Sequence, residues 1–214
     1  MVSAPRCCNR EATQLLIDRG ADVNAVNENG ATALSYAILS ENEMSCIDIL
    51  LQAGANPNII DHRDASILML AVTSRVTNED FALLINAGID LNVVDEVGRS
   101  ALILAAQGGY EYYVAPLIDA GAERNAVDVN GNSALYYAAQ NGHKECVRLL
   151  MNAGVSEASR QHALCAARPN HPECVKLLKM KKRARPISYV GMEESSSEED
   201  GAFVMRMFRS SSRK

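Results

Sequence analysis

The sequence predicts an all-α solenoid, in which units of two helices and a projecting hairpin stack in a row. Three observations carry this prediction. Glycines recur at 34, 34, 33 and 33 residues, at positions Gly20, Gly54, Gly88, Gly121 and Gly154. A Thr or Ser with Leu two positions later and Ala five positions later recurs in phase with them, at Thr32, Ser66, Ser100 and Ser133. Apolar residues precede each glycine at helical spacing. Self-similarity at such a period is typical of repeat architectures.

The recurring Thr or Ser predicts the start of the first helix of each unit. Its hydroxyl can accept a hydrogen bond from a backbone N–H that has no partner within the helix. In the first unit, Leu34 and Ala37 are three positions apart and therefore share one helix face. The small Ala side chain allows a neighbouring helix to approach closely. The same pair recurs in the next three units.

The apolar stripe before each glycine predicts the second helix. In the first unit this stripe is Ile47, Leu50 and Leu51, and the later units repeat it. The glycine that follows can adopt the left-handed conformation that ends a helix. Pairs such as Asn29-Gly30 favour a tight reversal of the chain after it. Each unit therefore reads as helix, turn, helix and hairpin.

A single unit has too little interior to fold alone, so its apolar faces must be buried on its neighbours. Each large aliphatic side chain buried in this way contributes about 1.5–3 kcal/mol. We expect about four full units, an N-terminal half unit formed by a helix at about residues 10–19, and a degenerate C-terminal cap with helices near 162–168 and 172–180. The inner face of the half unit is expected to be bare or covered by residues 1–9. Pro116 predicts a bend in the helix that contains it, or a helix that begins near Tyr112.

The period and these phrases resemble those of the ankyrin repeat family over about residues 10–180. That family usually carries Thr-Pro-Leu-His at the first helix. Here the proline position is occupied by Ala33, Ile67, Ala101 and Ala134. The histidine position is occupied by Ser35, Met69, Ile103 and Tyr136. We therefore expect an ankyrin repeat domain over residues 1–180, with lower stability than that of a consensus array.

The last 34 residues, 181–214, lose the periodicity and are expected to be a disordered tail that is charged and rich in serine. Lys182-Arg183-Ala184-Arg185 fits a short nuclear-import signal, although basic clusters are also common at domain ends. Acidophilic kinases accept serines with an acid three residues on, which predicts phosphorylation of Ser195, Ser196 and Ser197. A short docking helix around Phe203 to Phe208 is the alternative to disorder.

Composition and charge restrict the class of protein. No segment approaches the roughly 18 apolar residues of a membrane span, and the N-terminus does not resemble a signal peptide. The tail carries eight basic and five acidic residues, so the other 180 residues carry 13 basic and 21 acidic ones, a net charge of −8. This acidic body argues against nucleic acid as a partner. Scattered cysteines such as Cys46 and Cys146 fit core positions, which favours a reducing compartment. We therefore expect a cytoplasmic location, with the nucleus as an alternative.

Two groups of residues have chemical alternatives to packing. His162, Cys165, His171 and Cys174 have the residue types of a zinc site, but the repeat already explains each of them as part of the helical cap. We therefore expect no metal and no cofactor. Cys7-Cys8 could form a redox pair or a lipid site, but we favour the interpretation of this segment as a flexible terminus. No nucleophile–base arrangement or phosphate-binding loop is present, so the sequence does not predict an enzyme.

The resemblance implies that a protein partner meets the hairpin tips and the exposed side of the first helices, which line a concave wall. The positions that correspond to this surface are Glu28, Asn29, His62, Arg63, Ala65, Glu96, Val97, Arg99, Val129, Asn130 and Asn132 at the tips, with Leu39, Thr73, Gln107 and Gln140 on the helices. Arg63, Val97 and Arg99 are the strongest individual candidates, because arginine often anchors interfaces and an apolar tip has no other evident role. The alternative is that these residues are solvated loops.

The main hypothesis is a monomeric adaptor or scaffold that presents about 600–1,000 Å² to one protein partner and binds no small-molecule substrate. Two alternatives stay open. The repeats belong to a longer multidomain protein as a recruiting or spacer arm, or the chain is a nuclear regulator whose tail governs import. The resemblance also implies that an asparaginyl hydroxylase could modify Asn24 and Asn92, which lie in Leu-x5-Asp-x-Asn sequences.

Overall fold

The computed structural model describes residues 9–40, 46–60, 65–167 and 171–180. Within these ranges it contains helices and isolated β-bridges but no strand. The helices are α1 (Arg10–Asp18), α2 (Ala33–Leu39), α3 (Ile47–Gln52), α4 (Ile67–Ser74), α5 (Asn78–Asn86), α6 (Ala101–Gly108), α7 (Glu111–Asp119), α8 (Ala134–Gln140), α9 (Lys144–Ala153), α10 (Glu157–Ala167) and α11 (Pro172–Lys179). The predicted all-α repeat solenoid is confirmed. The predicted tail lies outside the described residues.

The helices pack in two layers. First helices contact the first helices of neighbouring units, α2 on α4, α4 on α6, α6 on α8 and α8 on α10. Second helices form the other layer, in which α5 contacts α3 and α7, and α9 contacts α7 and α11. Each unit is therefore covered by the units on either side of it, as the repeat requires.

The recurring hydroxyl residues cap the first helices as predicted. The hydroxyls of Thr32, Ser66, Ser100 and Ser133 each accept a hydrogen bond from the backbone N–H three residues on, at 3.3–3.4 Å. All four residues are buried. The recurring leucines are at most 1% exposed, at Leu34, Leu68, Leu102 and Leu135. The phrase that repeats in the sequence is thus a buried cap followed by a core residue.

An asparagine in each hairpin joins its unit to the next one. The side-chain Oδ1 of Asn24 accepts a hydrogen bond from the backbone N–H of Asn56 at 2.7 Å. Equivalent bonds recur in the following units at 2.7–2.8 Å. In them the side chains of Asn58, Asn92 and Asn125 accept from the backbone N–H groups of Asp90, Glu123 and Ser156, respectively. A ladder of four equivalent bonds therefore fixes the spacing of consecutive hairpins. Asn24 and Asn92 both take part in it, and their hydroxylation stays a prediction.

The N-terminal half unit is present as α1, close to the predicted range of 10–19. None of its residues is buried, and Leu15 and Leu16 are more than half exposed. The guanidinium of Arg10 pairs with the carboxylate of Asp48 at the start of α3. This ion pair and partial packing of Ile17 against the core join α1 to the stack.

The C-terminal cap differs from the prediction at its first helix. We expected a helix near 162–168, but α10 begins at Glu157, so His162 lies within the helix and not at its start. The cause is Ser156, whose hydroxyl accepts a hydrogen bond from the N–H of Ser159 at 3.1 Å and so caps a helix immediately after Gly154. The hairpin of this unit is replaced by additional helix. The second helix, α11, agrees with the predicted range.

Two residues are unusual for their backbone positions, a proline inside a helix and an arginine in the left-handed conformation. Pro116 lies inside α7, which begins at Glu111, one residue before the predicted Tyr112, and continues to Asp119. Arg75 ends α4 in the left-handed conformation, with φ 56° and ψ 51°, where the next two units have Gly109 and Gly142. Arg75 is the only non-glycine residue with positive φ in the described ranges.

The buried cysteines occupy core positions, as predicted for Cys46, Cys146 and Cys174. Cys46 is disulfide-bonded, which the sequence did not lead us to expect, whereas Cys146, Cys165 and Cys174 are free thiols. Burial raises the pKa of the Cys146 thiol to about 12. The other cysteine pair singled out in the sequence, at positions 7 and 8, lies outside the described residues. No helix in the described ranges is long and apolar enough to cross a membrane.

Candidate protein-binding surface

The candidate surface combines hairpin tips with the outward positions of first helices. We call it the hairpin wall and define it by segments 26–31, 94–99 and 127–132, with Tyr36, Leu39, Thr73, Gln107 and Gln140 on the helices. Side chains connect the two parts. The amide of Asn27 donates a hydrogen bond to the Tyr36 hydroxyl at 2.8 Å, and the Tyr137 hydroxyl donates one to Asp128 at 2.5 Å. Tips and first helices therefore form one continuous face.

Most of the predicted binding residues lie on this wall and are accessible. Glu28, Asn29, Glu96, Val97, Val129, Asn130 and Gln140 are exposed, and Arg99 and Asn132 are partly exposed. His62 and Arg63 lie outside the described residues, and so do Ser195, Ser196, Ser197 and the basic run at 182–185. The binding role of each residue stays a prediction.

One polar side chain holds each described tip in shape. The carboxylate of Asp95 accepts hydrogen bonds from the backbone N–H groups of Val97 and Arg99, at 3.1 and 2.8 Å. Asp128 holds the next tip in the same way, at 2.9 Å for both bonds. Asn27 does so in the first unit, at 2.9 and 3.0 Å. These internal hydrogen bonds fix the shape of the tips, which lowers the entropy that binding would cost.

Adjacent tips also contact each other through the backbone. The N–H of Val129 donates a hydrogen bond to the carbonyl of Val97 at 3.0 Å. Gly98, between Val97 and Arg99, has φ +78°, and a Cβ there would lie 3.2 Å from Cα of Asp128. Only glycine fits this close approach without a shift of the neighbouring hairpin. The third and fourth tips therefore form one rigid strip.

The strongest arginine candidate is already paired. Nε of Arg99 donates to Oδ2 of Asp95 at 2.9 Å, and a second guanidinium nitrogen lies 2.8 Å from the same oxygen. Burial raises the pKa of Asp95, but the bonds from the Arg99 backbone and side chain outweigh it, so the pKa lies below its usual value. If Arg99 anchors a partner, the free energy of binding must therefore offset any loss of this ion pair.

A tyrosine and a buried acid form the corresponding pair in the fourth unit. Burial raises the pKa of Asp128, but hydrogen bonds from Tyr137 and the tip backbone outweigh this effect, so the pKa lies below its usual value. The same hydrogen bond raises the pKa of Tyr137. Asp128 is therefore a structural acid that joins the fourth tip to Tyr137 on the first helix.

The structure adds a row of apolar residues that the sequence analysis did not select. One β-branched residue recurs in each hairpin, at Val26, Ile60, Val94 and Val127. Val26, Val94 and Val127 directly precede the residues that shape the described tips. These four and the neighbouring Tyr36, Leu39, Val97 and Val129 are between 42% and 70% exposed. The recurrence of these four positions with the repeat is the sequence signal that could have identified them.

A groove of about 340 Å³ lies on this wall between α4 and the third tip. Its lining residues are Ala65, Met69, Leu70, Thr73, Asp95, Glu96, Val97, Arg99 and Leu104. The floor is apolar, and the charged groups stand on one side. Of the residues that we predicted to bind, the structure brings Glu96, Val97 and Arg99 together here.

The histidine and cysteine set near the C-terminus does not come together. His162 packs on the ring of Tyr136, with centroids 4.6 Å apart, while Cys174 is buried and Cys165 is exposed. His171 lies beside Gly142. In the described ranges no three His, Cys, Asp or Glu side chains are placed to hold a metal ion. His162, His171 and Cys174 contact the neighbouring unit or lie in the core, whereas Cys165 faces solvent.

Comparison with known proteins identifies the family. A family model described as ankyrin repeats (three copies) matches residues 1–61, 44–128, 68–161 and 102–189. No curated protein matches the chain. The matched segments cover the whole helical stack and more than half of the sequence. Together with the paired helices and projecting hairpins, they show that the chain belongs to the ankyrin repeat family, whose repeats generally mediate protein–protein interactions.

Proposed function

We propose that this protein is an adaptor or scaffold that binds a protein partner on the hairpin wall, which the family resemblance predicts to be the concave side of the stack. The observation that carries the proposal is the row of half-exposed apolar side chains on tips that are already ordered. Apolar residues grouped on one face are typical of interaction sites. Because an exposed apolar residue is present in each described hairpin, these residues form a group and are not isolated apolar residues on the surface.

The physical basis is a rigid frame with variable contacts. The frame consists of the asparagine ladder, the capped first helices and the acids that shape the tips. The contact residues differ between units, from Glu28 and Asn29 to Val97 and then Val129 and Asn130. A partner can therefore be selected by side-chain identity without change in the fold. An interface of standard size, about 800 Å² on each side, would use two or three adjacent units.

Site-specific photo-cross-linking tests this proposal. A benzophenone amino acid replaces Val97 on the wall or, as a matched control, Tyr112, which is 70% exposed on the second-helix layer. We expect a cross-linked partner from position 97 in cell extract, and loss of that product when Val127→Asp and Val129→Asp are added. Equal products from both positions, or a product at 97 that survives the two substitutions, would contradict the proposal.

A further inference from the structure

We infer that the groove between α4 and the third hairpin tip binds a partner segment in which a large apolar side chain is flanked by a basic one. This inference rests on the proposed function and specifies the chemistry of the partner. It concerns the groove lined by Met69, Leu70, Val97 and Leu104, with Glu96 at its edge.

The floor of the groove selects an apolar group. Met69 is buried on the first helix of its unit, while Leu70 and Leu104 are only partly buried and pack against the core. Val97 forms the opposite side from the hairpin. The groove is open to solvent, and its volume of about 340 Å³ lies at the lower end of the range of ligand-binding clefts. An aliphatic or aromatic side chain would cover the exposed parts of these residues and exclude water from them.

The charges at the edge select the sign of the neighbouring group. The positive charge of Arg99 is held by Asp95, which also bonds the tip backbone. This pair contributes no net charge, so Glu96 sets the local sign. Glu96 is exposed and makes no hydrogen bond or ion pair among the interactions of the described residues. Its carboxylate is therefore available to a basic side chain of the partner.

The surrounding charge has the same sign. Residues 1–180 together carry 13 basic and 21 acidic side chains, a net −8. This net charge would attract a basic segment from a distance and so raise its rate of association.

An acidic segment is disfavoured at the same place. The charge of Arg99 is already balanced by Asp95, whose side chain is only 13% exposed. Arg99 can therefore offer an acidic segment only its remaining N–H groups, and drawing it away from Asp95 would leave that acid partly buried without its cationic partner. An acidic segment would also meet Glu96. The arrangement thus discriminates between the two signs of charge.

Selection from a phage-displayed library of random 12-residue peptides tests the inference. The full chain and its Glu96→Lys variant are used as separate targets, with Asp119→Lys as the matched control. Asp119 is an exposed acid at the end of α7, outside the groove. We expect peptides selected on the natural chain to combine Lys or Arg with large apolar residues. Peptides selected on Glu96→Lys should lose that basic preference, and those selected on Asp119→Lys should keep it.

Binding of one selected synthetic peptide gives the quantitative test. Glu96→Lys should weaken it about three- to tenfold, Val97→Ser at least about threefold, and Asp119→Lys less than about twofold. Circular dichroism confirms that each variant is folded. Acidic or uncharged selected peptides, or affinities that neither groove substitution changes, would overturn the inference. The cross-link from position 97 decides separately whether the proposed function survives.

Discussion

Arg75 offers a test of how the helix turns are built, because its strained backbone and its side-chain contacts have opposite effects on stability. The left-handed conformation costs a residue with a Cβ about 1–2 kcal/mol. In return, Nε of Arg75 donates a hydrogen bond to the Tyr110 hydroxyl at 3.0 Å, and the guanidinium lies 5.0 Å from the centre of the same ring. At an exposed site such contacts contribute about 0.5–1 kcal/mol each.

Two substitutions separate these effects. Arg75→Ala removes the contacts and keeps the strain, so we expect it to lower the free energy of unfolding by about 1–2 kcal/mol. Arg75→Gly removes the contacts and also the strain. The greater freedom of glycine in the unfolded chain costs about 0.4–1 kcal/mol, so the Arg75→Gly protein should be about 1 kcal/mol more stable than the Arg75→Ala protein.

Arg148 is the matched control, since it is an exposed arginine in the middle of α9. There glycine should be about 1 kcal/mol less stable than alanine. Urea unfolding followed by far-ultraviolet circular dichroism measures all four variants, with equal m-values as the condition for comparison. If alanine were as stable as glycine at position 75, or if glycine were preferred at 148 as well, the assignment of strain to Arg75 would be refuted.

Three further perturbations have defined outcomes. Pro116→Ala should raise the free energy of unfolding by about 1–3 kcal/mol, because it restores a helical N–H inside α7; an unchanged or lower urea midpoint would contradict this. Folding lowers the pKa of Asp128 and raises that of Tyr137, so the free energy of unfolding should decrease below pH about 4 and again above pH about 10. In a plot of the urea midpoint against pH, Tyr137→Phe should make both decreases smaller. Iodoacetamide should alkylate exposed Cys165 well before Cys146, whose pKa is about 12, in peptide maps of folded protein; equal rates would show that the core opens readily.

The core could be predicted from the sequence because its determinants are local and repeated. Thr32 and Leu34 have the same roles in the structure as Ser133 and Leu135 a hundred residues later. One correct interpretation of a cap and a buried leucine therefore extends to every unit. The half unit at α1 followed from the same reasoning, since its apolar stripe and glycine are present without a preceding cap.

The start of α10 was missed because two helix-start signals compete in the sequence. The repeat places a first helix near His162, but Ser156 and Ser159 form a cap earlier in the chain. The earlier cap prevails since the hairpin that would occupy residues 155–161 is too short to form.

The chemistry of the surface depended on contacts that the sequence does not specify. Arg99 was a reasonable anchor by residue type. The folded tip places the guanidinium of Arg99 in an ion pair with Asp95, so that Glu96 carries the unbalanced charge at the groove. Val94 and Val127 were not among the predicted contact residues, because their exposure depends on how the hairpin folds, which leaves both about half exposed.

Amide hydrogen exchange of the full chain, with and without a bound selected peptide or cross-linked partner, tests most directly whether recognition occurs on the hairpin wall. The account predicts slower exchange in segments 94–99 and 127–132, where the bound surface would cover the tips, and unchanged exchange in α5, α7 and α9. Protection confined to those second helices, with the tips unaffected, would contradict it.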